Sequence, residues 1–301
     1  MVRRNHLMVL WRVSRMESRV ITDVNACRSI QWFTRTTWWT YAGGMTLPST
    51  AAAADGGVRS VTRAFDLLRA FDADHKVRSL RELVEFTGLP KSTVVRLLST
   101  LGNPGIITSP SESTYSIGPS FLRWVKLAEA MWEVGAEARQ VMTALRDECG
   151  ETVNIYIRQD LHRICVAQVE GTATVRSVVR VGEPYPLTGG AAARVLLGGC
   201  PDTVLEALSA QDARVDAKDL RTAAASTREA GFAITHGDRE LGASAVAAPI
   251  VAADGRLLAA LSMSGPTSRF TADRVARYVD AATLAARRIS AVGLGTVEAF
   301  L

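Results

Sequence analysis

Lys91, Ser92, Thr93, Val95, Arg96 and Ser99 crowd one short stretch with groups suited to a nucleic-acid surface. An Arg can fork onto a guanine edge, and Ser and Thr hydroxyls can bond phosphate or base. A Lys near a helix N-terminus favours phosphate. This chemistry is the reading of double-stranded DNA, and it requires the six residues to share the outer face of one helix.

The surrounding residues supply such a helix. Val94, Leu97, Leu98 and Leu101 fall at i, i+3, i+4 and i+7 and make one apolar stripe. Ser92, Val95, Arg96 and Ser99 take the opposite face, with Lys91 and Thr93 beside the N-terminus. Upstream, Ser79 and Glu82 have the spacing of a capping box, so a preceding helix starts there and presents Leu80, Leu83 and Val84 to a core. Ser79, at that start, joins the candidate DNA contacts. Gly88 ends this helix and Pro90 is preset for the first turn of the next. An αα-corner with a solvated face has the same spacing, but the following residues favour DNA. Residues 105–108 and 114–118 read as two strands around the turn-rich 109–113, which is a wing. Val61, Phe65, Leu68 and Phe71 predict a third helix that closes a small core. The expected unit is a winged helix-turn-helix over residues 56–118.

Composition bounds the rest. A chain of 301 residues with 48% apolar content supports two domains. Its net charge of +5 is no guide to partners, because residues 1–44 hold seven Arg against two acids and residues 45–301 are neutral in sum. Residues 56–125 carry +3 and residues 126–301 carry −2. Residues 1–55 are expected to be a disordered or mis-annotated leader: they hold Trp11, Trp32, Trp38 and Trp39 without a clear period, and translation is expected to start at Met45. No apolar run is long enough for a signal-peptide core or a membrane span, so no membrane partner is expected. Cys27, Cys149, Cys165 and Cys200 lack metal-ligand spacing, and His75, His162 and His236 are scattered. A reducing cytoplasm is the expected setting, with no metal and no cofactor. Neither HExxH, GxxxxGK[ST] nor GxSxG occurs, and no Ser/His/Asp arrangement emerges, so an enzyme is not expected.

Residues 119–149 read as helical and unusually apolar. The first part, 119–132, is expected to be a linker helix that packs on a second subunit or on its own C-terminal domain. Beyond Gly150, strands are expected at 152–158, 161–169, 174–181, 243–251 and 256–264, and helices at 189–197, 202–208, 218–230 and 271–289. Val275, Val279, Ala282 and Leu284 should face inward on the last helix. The fold class is therefore α+β, with an antiparallel sheet and helices over residues 133–295 and a tail at 296–301. Thr188 could cap a helix beginning Gly189-Gly190-Ala191-Ala192-Ala193, leaving backbone amides open to an anion. Ser262 and Ser264 share one face of a strand, as do Ala243, Ala245 and Ala247. A small-molecule pocket or tight helix-on-sheet packing would each select such residues.

In its ordered motifs the chain resembles the IclR-type bacterial transcriptional regulators over about residues 56–295. Those motifs are Gly-Leu-Pro-Lys-Ser-Thr-Val at 88–94 with Arg96-Leu97-Leu98, Gly-Glu-Thr-Val at 150–153 and Pro186-Leu187. Gly231-Phe232-Ala233, Ala-Ala-Pro-Ile at 247–250 and Leu-Ser-Met-Ser-Gly-Pro at 261–266 follow in the family's order. The resemblance implies a winged helix-turn-helix, a linker helix and a GAF-like effector domain, assembled as a homodimer or homotetramer. It further implies operator DNA and a small-molecule effector as partners. Carried over residue by residue, the effector positions are Ala191, Ala192, Thr235, Ala245, Ser262 and Ser264. The sequence departs from the family pattern where Ala193-Arg194 replaces Gly-Lys, Thr235 replaces an acid, Ala245 replaces a Cys and Gly237-Asp238 replaces paired Glu. These changes predict a less polar, roomier pocket for an effector bulkier than a two- or three-carbon acid, such as an aromatic carboxylate, or a pocket that has lost its ligand. A small-molecule-binding protein whose winged helix contacts protein is the alternative.

Overall fold

The computed structural model describes residues 58–301, so the expected leader at 1–55 lies outside the described residues. Three helices open the chain: α1 (Arg59–Leu68), α2 (Leu80–Thr87) and α3 (Lys91–Gly102). Ser79 starts α2 with a complete capping box, its hydroxyl accepting from the Glu82 amide and the Glu82 carboxylate accepting from the Ser79 amide at 2.7 Å. Gly88 ends α2 at φ 63°, a left-handed conformation that costs a side-chain-bearing residue about 1–2 kcal/mol. Pro90 lies one residue outside α3, at its N-cap, and not in its first turn.

Leu83, Val94, Leu97, Leu98 and Ile107 bury together with Leu67 and Ala70. α1 meets the core on a face rotated from the expected stripe, which keeps Leu68 and Phe71 but not Val61 and Phe65. Ala64, Leu68 and Phe71 pack beside Leu67, whereas Val61 and Phe65 are 51% and 60% exposed. Both stripes of α1 are apolar, so spacing alone does not choose between them. The wing is β2 (Ile107–Ser111) and β3 (Thr114–Ile117), joined by an unanticipated β1 (Val77–Ser79) in the order β1-β3-β2. β1 ties the wing to the start of α2.

The helical run expected over 119–149 is two helices, α4 (Phe121–Met131) and α5 (Ala136–Cys149). No residue of α4 is buried. At the break, Gly135 N–H donates to Leu294 O at 3.0 Å and Val134 bridges to Gly295. Gly295 sits at φ 76°, and a Cβ there would lie 2.8 Å from Gly135 N, so only glycine fits. Residues 296–301 are not a tail: Thr296–Phe300 forms a 3-10 turn, Val297 is fully buried, and the Phe300 ring lies 5.4 Å from Trp132.

The second domain is a six-stranded antiparallel sheet: β4 (Thr152–Gln159), β5 (His162–Val169), β6 (Pro184–Pro186), β7 (Ala233–His236), β8 (Ala243–Val251) and β9 (Leu257–Pro266). Their order is β6-β5-β4-β9-β8-β7. α5 and α9 (Ala272–Val292) cover one face. The other carries α6 (Ala191–Leu197), with α7 (Asp202–Gln211) and α8 (Ala217–Ala230) packed around it. The expected strand at 174–181 is irregular, and β6 takes its place beside β5. Side chains hold this segment's carbonyls instead of a ladder: Thr152 Oγ1 donates to Ser177 O at 2.6 Å and Arg269 Nη1 to Val175 O at 2.9 Å. β7 was not anticipated. In α9, Tyr278, Ala282, Ala285, Ala286 and Ile289 face inward while Leu284 is 60% exposed. Among the described residues no helix is long and apolar enough to cross a membrane.

Candidate functional site

α3 presents Lys91, Ser92, Val95, Arg96 and Ser99 to solvent, with Thr93 half-buried beside them. Its first turn carries no acid that would repel phosphate. Thr93 and Arg96 also border a groove of about 530 Å³ against Val61, Ala64 and Phe65 of α1. Ser79 is different. Its hydroxyl donates to Glu82 Oε2 at 2.7 Å and accepts from the Glu82 amide at 3.3 Å, so the cap already uses it.

The six effector positions converge. Across the sheet Thr235 pairs with Ala245 and Ala245 with Ser264, while Ala247 pairs with Ser262. Directly opposed residues project to the same face. Ala191 and Ala192, at the start of α6, come down onto that face. Together with Thr235, Ala245, Ser262 and Ser264 they line one cavity, which Tyr156, Arg163, Ser177 and Arg239 complete.

Two expectations about this cavity fail. It is not roomy: its volume is about 40 Å³, because Tyr156 and Arg163 reach into it. Nor does Thr188 cap α6, whose N-cap is Gly190 with no side-chain cap bond to it. Gly190 N–H donates instead to Asp238 Oδ2 at 2.8 Å, and the same oxygen accepts from Arg194 at 3.3 Å. Asp238 thus takes one of the amides expected to stay open, that of Gly190.

Arg163, which the sequence reading passed over, dominates the electrostatics here. It is 3% exposed, donates from Nη1 to Gly189 O, and places its guanidinium 5.2 Å from the Tyr156 ring centroid and 6.0 Å from that of Tyr185. A Cβ on Gly190 would come within 3.1 Å of Nη1, so the bare backbone makes room for the cation. Nε has no partner, and no carboxylate forms an ion pair with it among the described residues. Burial pushes the Arg163 pKa down to about 10, which still leaves a cation at neutral pH. Asn154, opposite Ser262, buries an Nδ2 that likewise lacks a partner while its Oδ1 accepts from Gln168 at 3.0 Å. Arg163 stands out only once the register of β5 is known. It shares the α6 side of β5 with Cys165, a position where an unpaired charge is out of place. The Cys165 thiol in that row is pushed up to about 12 by burial and is not a nucleophile. Among the described residues no cluster of three or more His, Cys, Asp or Glu could hold a metal.

Comparison with known proteins bears on both surfaces. The IclR helix-turn-helix domain family matches residues 60–110, and the bacterial transcriptional regulator IclR C-terminal family matches residues 129–291. The chain is 30% identical over 241 residues to the HTH-type transcriptional regulator KipR of Bacillus subtilis, covering 77% of this chain and 96% of that protein. It is 28% identical over 262 residues to the transcriptional repressor IclR of Escherichia coli, covering 81% and 93%. A crystal structure described as an IclR-family regulator from Rhodococcus sp. is 48% identical, with a TM-score of 0.55 over 82% of this chain and 98% of its own. An IclR homolog from Microbacterium hydrocarbonoxydans, solved with 4-hydroxybenzoate, shares the fold at 19% identity and a TM-score of 0.63, covering 80% and 99%.

Proposed function

This chain belongs to the IclR family of bacterial DNA-binding transcriptional regulators, and from that premise we propose which of its residues read the operator and which hold the effector. Lys91, Ser92, Thr93, Val95, Arg96 and Ser99 read operator DNA from α3. Ser79 leaves this set, because the cap engages its hydroxyl. Ala191, Ala192, Thr235, Ala245, Ser262 and Ser264 form the site of a small organic or aromatic acid that governs operator binding. The observation that carries this reading is the convergence of these six residues, from four separate elements, on one cavity. A homologous fold solved with 4-hydroxybenzoate makes an aromatic acid a sound first probe.

The chain acts in the cytoplasm as a homodimer or homotetramer. α4 supports this: Leu122, Trp124, Val125 and Leu127 are 45% to 66% exposed, and a second copy would cover them. Two recognition helices on one assembly would then share the binding energy of two half-sites.

Binding of the purified chain to genomic fragments, selected with and without candidate acids, tests the whole reading. Affinity should fall steeply with salt, since phosphate contacts release counterions. Arg96→Ala should weaken operator binding by about 5- to 150-fold and non-specific binding much less, as expected for one base contact. Unchanged operator affinity in that variant would remove Arg96 from the reading helix.

A further inference from the structure

Two donors on this face of the sheet are fully buried without an acceptor, and one of them belongs to the cavity wall. Arg163 Nε and Asn154 Nδ2 are both buried donors without acceptors. Arg163 is in addition a buried cation to which the fold gives two tyrosine rings and a backbone carbonyl, but no carboxylate. Asp238 attracts Arg163 from a distance but makes its bonds to the start of α6 and to Arg194. A buried guanidinium without a counter-charge is costly. It is retained at modest cost only where something else brings the negative charge.

We propose that Arg163 is the anion-recognition residue of this cavity, left without a counter-charge by the protein so that the carboxylate of a bound acid supplies it. This deepens the reading of the cavity as the effector site and rests on it. The acid's carboxylate accepts from the guanidinium, which lines the cavity. Its body lies between the Tyr156 ring and the short side chains of Ala245, Ser262 and Ser264. The free volume of about 40 Å³ is a few water molecules' worth, enough for the acid group alone. An aromatic body must therefore displace Tyr156, Arg163 or both from their present positions, which makes Arg163 the reporter of occupancy as well as the ligand's partner.

Matched probes separate charge from shape. Acetate, propionate and benzoate, each paired with its neutral amide, are titrated calorimetrically into the full-length protein, its Arg163→Met variant and its Arg163→Lys variant. At least one acid should bind the wild-type protein about ten-fold or more tightly than its amide, the worth of a charge-assisted hydrogen bond. Arg163→Met should bring that ratio to about one, and Arg163→Lys should keep part of it. Arg163→Met should also raise the thermal midpoint of the unliganded protein, a shift that loss of a merely structural arginine would reverse. An acid-to-amide ratio near one in the wild-type protein, failure of all three acids to bind it, or an undiminished ratio in Arg163→Met overturns the assignment. If Arg163→Met does not fold, Arg163→Lys carries the test, and an undiminished ratio in that variant overturns the assignment. Operator affinity measured on the same samples keeps the two readings apart. Acids that bind through Arg163 yet leave operator affinity unchanged would refute effector control and leave the anion site standing.

Discussion

Arg269 meets the Glu151 carboxylate, 1% exposed, with both ends of its guanidinium fork, Nε and Nη2 each at 2.6 Å. The Tyr278 hydroxyl lies 3.4 Å from the same carboxylate and shares its proton with Cys149 O at 3.3 Å. The pair joins the residue before β4 to the turn that follows β9. Arg269→Ala would leave the carboxylate buried and alone, which should cost about 3 kcal/mol, the low end for a broken buried pair because Arg269 is itself partly exposed. Thermal melting should register this as a fall of about 6–12 °C; an unchanged midpoint would mean that water already satisfies Glu151. The contrast with Arg163 is instructive, since one buried charge has a partner from the protein and the other has none. It also shows what single residues reveal in advance. Ser79, Glu82 and Gly88 announce a helix boundary because a cap is local and its spacing fixed. Arg163 does not announce itself, because its meaning depends on which parity of β5 faces α6, and that is set by strands far away in sequence.

Elements were legible where one period dominated. α2 and α3 each have a single apolar stripe, and both fold as that stripe predicts. α1 has two such stripes, and Leu67 with Ala70 decides which one the core takes. The segment 174–181 is rich in β-branched residues yet forms no strand, because β6 already pairs with β5 and the intervening carbonyls are bonded by Thr152 and Arg269. Propensity proposes a strand, but a free sheet edge has to accept it. The junction of α4 and α5 shows the opposite case, a structure no periodicity could reveal. Gly135 and Gly295 lie backbone to backbone, and Gly295 holds a conformation foreign to residues with a Cβ. Gly295→Ala should therefore destabilise the protein by about 1–3 kcal/mol and loosen the junction. Chemical denaturation measures the first, and hydrogen exchange at the Gly135 amide reports the second. Exchange that stayed slow in the variant would show that the contact does not brace the junction.

At the scale of the whole molecule, the cavity and the reading helix stand in different domains, and α4 is the element between them. Its uncovered apolar side chains argue that the working unit has more than one copy. Leu122→Glu combined with Leu127→Glu should give a monomer by light scattering and lower operator affinity at least ten-fold, through loss of the paired half-sites. A double variant that stayed oligomeric would place the subunit interface elsewhere. The backbone contact at Gly135 and Gly295 then acquires a mechanical meaning. It is a fulcrum at the base of an arm of 11 residues, about 16 Å long at the rise of an α-helix. Rocking that arm by about 10° carries its far end roughly 3 Å, close to the axial step from one DNA base to the next along a strand. A change of about 10° near the buried end of the effector domain would thereby be geared up to a one-base error in where the reading heads land.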